Sequence, residues 1–233
     1  MSDEPAAAIV SVSADYPNDS LASALSRHQL ELASGEQALV DRYCQLLWEW
    51  NAKINLTRHT DYERFVARDL VDTLQLSKLI REKEEVIEMG SGGGVPGLVL
   101  ALLRPDLSVT LTESIGKKAR VLADMVKRLG VRAKVEPRRA EKVLQDERFD
   151  VTIARGVGPL AKILTWIQPH WLSVGRLLAI KGPKWPEERG EARHRGLMHG
   201  LELRKVAEYP LAGTESNSVI LEIWPEGKAR PAG

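Results

Sequence analysis

The chain has 233 residues, with 33 Lys and Arg against 32 Asp and Glu, for a formal charge of +1. That balance excludes coating of nucleic acid by net charge, so any such role needs the basic residues gathered on one face. The hydrophobic fraction is 43% and there is one cysteine. A chain of this length buries a core without disulfides or a Cys-rich zinc site.

Residues 1–20, rich in Ala, Ser, Asp and Pro, read as a mobile tail, and 227–233 as a second one. The acidic N-terminus lacks the basic start of a secretory signal. No apolar run reaches the roughly 18–20 residues of a membrane span. With the lone cysteine, these features predict a cytoplasmic protein.

Residues 21–80 carry a helical rhythm. Ser34 with Gln37 and Thr60 with Glu63 have capping-box spacing. Leu39, Tyr43, Leu46, Leu47 and Trp50 follow the first box, and Phe65, Val66, Leu70, Leu74 and Ile80 the second. Trp48, Trp50 and Cys44 are expected to pack in the core. This segment predicts a small helical extension, with 81–226 forming the main domain.

From residue 81 onward, strand-like runs alternate with helical ones. Strands are predicted near 86–89, 108–113, 132–136, 149–154 and 176–181, and helices near 95–104, 116–129, 159–170 and 186–199. Such alternation predicts right-handed βαβ units and a parallel sheet. The ending differs: LELRKVAEYPL and SNSVILEIW are joined by a short loop, which permits only an antiparallel pair. Five parallel strands followed by a hairpin give a mostly parallel seven-stranded α/β sheet. Such a hairpin is the usual ending of class I methyltransferases and is uncommon in dinucleotide dehydrogenases.

The sharpest motif runs from Glu88 to Gly97, EMGSGGGVPG, between the first strand and a helix. Its glycines let the backbone turn sharply and approach a ligand, at the carboxyl edge where α/β sheets bind ligands. Gly92, Gly94 and Gly97 also spell G-x-G-x-x-G, so a dinucleotide oxidoreductase remains an alternative. Glu88 ahead of the glycines favours the S-adenosyl-L-methionine form of the loop. Glu113, 23 residues after Gly90, is placed to accept hydrogen bonds from a ribose diol.

Ala154-Arg155-Gly156-Val157 stands where enzymes that methylate exocyclic amines carry N-P-P-Y or D-P-P-Y. No cysteine lies near that edge for pyrimidine C5 chemistry. An acceptor that is nucleophilic as it stands, such as guanine N7, remains; it needs positioning and no general base. Residues 117–148 hold eleven basic and five acidic residues, a local charge of +6. Lys117 and Lys118 open a helix at the ligand edge. Lys181, Lys184, Arg189, Arg193 and Arg195 form a second basic set, and Trp185 is a candidate for base stacking. The five histidines show no metal-ligand spacing and read as surface residues.

Several segments together resemble one family. They are WNAKINLT (50–57), ARDLVDTL (67–74), EMGSGGGVPGL (88–98), LTESIGKK (111–118), RAE (139–141), FDVTIAR (149–155) and LLAIKG (177–182). They resemble the bacterial 16S rRNA guanine-N7 methyltransferases, over roughly residues 35–224. The resemblance implies a class I AdoMet-methyltransferase Rossmann-like fold with an N-terminal helical extension. The implied reaction is methyl transfer from S-adenosyl-L-methionine to N7 of guanine 527 in the 530 loop of 16S rRNA.

The implied partner is 16S rRNA, naked or assembled in the small ribosomal subunit; no metal or membrane is expected, and the chain is expected to act as a monomer. The implied cofactor contacts are Glu88, Gly90, Gly92, Gly94, Val95, Glu113, Ala140, Glu141 and Arg155. Asn55, Arg68, Lys117, Lys118, Arg139 and Lys181 would face the RNA, with Arg155 and Lys181 nearest the chemistry. Asp69 stands where the family often has His, Glu88 and Glu113 where Asp is common, and Ala154 where Ser is common. A non-catalytic ribosome-assembly factor that retains the fold is a third reading.

Overall fold

The structure is a computed structural model and describes residues 19–228. The two sequence-predicted tails lie almost wholly outside these residues. In the extension, α1 spans Leu21–Arg27 and α2 Ser34–Asn51. Then α3 (Tyr62–Arg64), a π-helical stretch (Phe65–Leu70) and α4 (Val71–Ser77) run on as one helix. Neither α2 nor α3 starts on its sequence-predicted capping box. The N-cap of α2 is Ala33, whose amide donates to the Glu36 carboxylate at 2.9 Å. Asp61, not Thr60, caps α3 by accepting from the Arg64 amide at 2.8 Å. At α3 the Asp61 carboxylate outcompetes the neighbouring Thr60 hydroxyl because it is the stronger acceptor.

The main domain alternates as the sequence predicts, with one further short helix between the third and fourth strands. Its elements are β1 (Glu85–Met89), α5 (Gly97–Leu103), β2 (Ser108–Thr112), α6 (Gly116–Leu129), β3 (Ala133–Glu136) and α7 (Ala140–Val143). There follow β4 (Phe149–Arg155), α8 (Leu160–Ile167), β5 (Val174–Lys181), α9 (Trp185–His194), β6 (Leu201–Pro210) and β7 (Asn217–Pro225). The predicted helix 186–199 ends early, because Gly196 turns the chain at φ +70°. Trp185 opens α9 and packs half-buried on the core, rather than standing in a free loop.

The sheet order is β3-β2-β1-β4-β5-β7-β6, with β7 antiparallel to both of its neighbours. Alternation along each strand divides the core between two faces. Val86, Val151, Ile153, Leu178 and Ile180 meet the extension, α5 and α6. Ile87, Met89, Ala154, Leu177 and Ala179 meet α7, α8 and α9. The extension therefore shares one apolar core with half of the main domain. Cys44 is fully buried there, and burial pushes its thiol well above the usual range.

Candidate active site

The glycine loop is built from the end of β1 outward. Gly90 has φ +69°, and a Cβ there would sit 2.8 Å from Val157 Cγ1. Only glycine satisfies both the left-handed backbone and that close approach. Further along, the Ser91 amide donates to the Thr112 carbonyl at 2.8 Å, and the Gly92 amide to Glu113 at 3.1 Å. The Gly97 amide donates to Glu88 at 3.0 Å.

Glu88 is 1% exposed, and its Oε2 has no hydrogen-bond partner among the described residues. Burial pushes its carboxyl up to about 7 against the opposing pull of neighbouring donors, the Gly97 amide among them. It supports the loop from below rather than presenting itself to a ligand. Glu113 accepts from both the Gly92 and the Ile115 amides, the latter at 2.7 Å. Each of its oxygens keeps a further lone pair.

A cavity of about 310 Å³ opens beside this loop at the carboxyl edge of the sheet. Gly90, Thr112, Ala140 and Glu141 line it, and so does Arg139, which the sequence placed at the RNA. Val157, Lys162 and Trp166 also line it, with the Lys162 ammonium 4.9 Å from the Trp166 ring centroid. A cavity of this size, with an aromatic ring in its lining beside a Cβ-free turn, has room for a nucleoside. Of the sequence-predicted cofactor residues, Gly90, Ala140 and Glu141 line this cavity. Gly92, Gly94 and Val95 shape the loop around it.

Arg155 is placed differently from its sequence expectation. Met89 pairs in register with Ala154, so Arg155, one residue on, turns to the opposite face of the sheet. There Nε donates to Asp72 at 2.7 Å and Nη2 to Asp69 at 2.6 Å. Tyr209 donates to the other Asp72 oxygen at 2.7 Å, and His59 Nδ1 lies 2.9 Å from Asp69. Burial alone would raise Asp69; His59 and Arg155 overcome it and hold the carboxyl below its usual range. Burial works against the guanidinium in turn, and the two aspartates hold it charged. The π-helical stretch supplies Asp69 to this cluster, in keeping with the frequent use of such bulges at functional sites.

The comparisons with known proteins agree with this architecture. The family model described as "rRNA small subunit methyltransferase G" matches residues 36–215. The chain belongs to that family. It is 52% identical to ribosomal RNA small subunit methyltransferase G of Rhodopirellula baltica, over 88% of this chain and 96% of that protein. It is 39% identical to the Halorhodospira halophila protein of the same description, over 75% and 83%. Among solved structures it resembles a methyltransferase from Pyrococcus furiosus, with TM-score 0.52 and 13% identity over 82% and 98%. It also resembles a variant of MtNAS in complex with S-adenosylmethionine, with TM-score 0.53 and 17% identity over 88% and 84%. These last two share the class I methyltransferase fold.

In this family member the remaining candidate residues divide in two. Asn55, Lys117 and Arg139 are exposed, and Lys118 is half-buried. Arg68 is half-buried, with an Nε that has no partner among the described residues. Lys181 departs from its expected place at the RNA face. Its side chain is 9% exposed and is paired with Glu188 at 2.6 Å, and it donates to the Gly158 carbonyl at 2.8 Å. Its position on β5 turns it beneath α9, so it braces the loop after β4. The histidines are also corrected in part, because His59 and His28 are both engaged by carboxylates. Sequence reasoning missed Val157, Lys162 and Trp166. Lysine and tryptophan four apart on a helix that starts at the ligand edge were the available signal.

Proposed function

We propose that this member of the family transfers a methyl group from S-adenosyl-L-methionine to N7 of guanine 527 in the 530 loop of 16S rRNA. The observation that carries the reading is the nucleoside-sized cavity beside the Glu88–Gly97 loop, in a family whose description is rRNA methylation. Gly90, Ala140, Glu141 and Glu113 would hold the cofactor. Trp166 and Val157 would exclude water from it. The bound cofactor would supply an electrophilic methyl on a sulfonium.

Guanine N7 carries a lone pair and no proton, so no base is required. The new N–C bond forms as the S–C bond breaks, and the catalyst's task is in-line approach at roughly 3–3.5 Å. The product base is cationic. Asp69 and Asp72 more than neutralise Arg155, so the end of β4 presents no net positive charge to oppose it. Asn55, Arg68, Lys117, Lys118 and Arg139 are assigned to the RNA. The substrate is 16S rRNA, naked or in the small ribosomal subunit, in the cytoplasm, engaged by a monomer. Among the described residues, no helix is long and apolar enough to cross a membrane.

The test is mass mapping of 16S rRNA from a strain lacking the gene. The expected result is loss of the methyl at guanine 527, restored by the wild-type gene. An unchanged methyl overturns the assignment. Calorimetry with S-adenosylhomocysteine against NAD separates the cofactor reading from the dinucleotide one.

A further inference from the structure

The glycine loop has anchors on two sides. Thr112, Glu113 and Glu88 hold its inner amides, and all three belong to the main domain. The outer turn, at Gly93, is held from elsewhere. The Tyr43 hydroxyl of α2 donates to the Gly93 carbonyl at 2.9 Å, across 50 residues of sequence. Leu47 and Leu56 close over the same glycine: a Cβ on Gly93 would lie 3.1 Å from Leu47 Cδ1 and 3.6 Å from Leu56 Cβ.

Tyr43 has little freedom to move. It is fully buried and packs against Phe65, with ring centroids 5.9 Å apart. Leu56 is likewise fixed, because Asn51 Oδ1 accepts the Leu56 and Thr57 amides at 2.8 and 2.9 Å. The helical extension thus forms the outer half of the cradle for this turn.

We propose that Tyr43 is a positioning residue for the cofactor: its hydroxyl, through Gly93, holds the glycine loop in the shape that receives S-adenosyl-L-methionine. The inference rests on the cofactor assigned above. It extends the binding machinery from the main domain into the extension.

Tyr43→Phe keeps the ring and removes only the anchor. Tyr62→Phe is the control, because the Tyr62 hydroxyl bonds Asp41 within the extension. Both full-length variants are titrated with S-adenosylhomocysteine by calorimetry, and amide hydrogen exchange is followed at Gly93 and Gly94 without ligand. Tyr43→Phe is expected to weaken binding about three- to tenfold, the worth of one neutral hydrogen bond. It is also expected to speed exchange at the loop, whereas Tyr62→Phe does neither.

Wild-type affinity in Tyr43→Phe overturns the proposal. So does an equal loss in both variants, which would mean general loosening of the extension. If the wild type itself binds no S-adenosylhomocysteine, the cofactor assignment fails. The exchange rates then decide on the anchor alone, and unchanged rates in Tyr43→Phe overturn it.

Discussion

Glu88 shows how a residue legible as a motif letter acquires a different physical role in the fold. Its sequence position marks the loop type, but its carboxylate lies under the loop, bonded to the Gly97 amide. Because burial raises its folded value to about 7, the folded state binds the proton more tightly than the unfolded chain. The associated stability is present in full below the unfolded value, near 4.5, and is lost as pH rises through 7. Glu88→Gln removes this titration. Relative to wild type, the variant is expected to gain about 3 kcal/mol between pH 4.5 and pH 8. Urea unfolding across that range measures it, and a constant difference between the two proteins would refute the buried proton. Arg155 gives the matching lesson. Its place at a strand end was readable, but its side was set by register with Met89 and Ala154. Its partners Asp69 and Asp72 lie more than 80 residues away in sequence. No local pattern could reveal that contact.

At the level of elements, most of the architecture was readable, because hydrophobic period and glycine punctuation are local signals. The strand and helix order of the main domain follows them closely. The π-helical stretch was not readable: it carries Asp69 to Arg155, a contact 86 residues apart in sequence, and no local pattern marks it. The junction of α8 and α9 was equally hidden. Glu188 of α9 accepts the first amide of α8, Leu160, at 2.7 Å, and pairs with the enclosed Lys181. Glu188→Ala leaves that ammonium without a counter-charge and the α8 amide without an acceptor. A loss of about 3 kcal/mol is expected in urea unfolding. Lys181→Met is expected to cost about 1–2 kcal/mol, because Glu188 keeps the Leu160 amide and is 25% exposed to water. Equal losses would show that the ammonium is hydrated in the fold.

For the whole molecule, the formal charge of +1 conceals unlike regions, and the structure divides the basic stretch 117–148 again. Arg128 pairs with Glu49, Lys134 with Glu136 and Glu147, and Arg138 with Glu136 and Asp146. Those cations are already balanced within the protein. Lys117 and Lys118 have no ion pair among the described residues, and they open α6 beside the cofactor loop. Counterion release depends on cations that meet phosphates, so the salt slope of RNA binding should respond to unpaired charges only. Lys117→Ala is expected to weaken RNA binding at every sequence tested and to reduce the slope by about one unit. S-adenosylhomocysteine affinity should stay unchanged. Arg138→Ala removes the same formal charge and should leave the slope nearly intact, because that guanidinium is held by Glu136 and Asp146 rather than offered to a phosphate. Titrations of small ribosomal subunits over a salt series compare the two directly. Equal slopes for both variants would mean that overall basicity, and not a focused rim at the ligand edge, drives association. A collapse of S-adenosylhomocysteine binding in Lys117→Ala would instead place that lysine in the cofactor site.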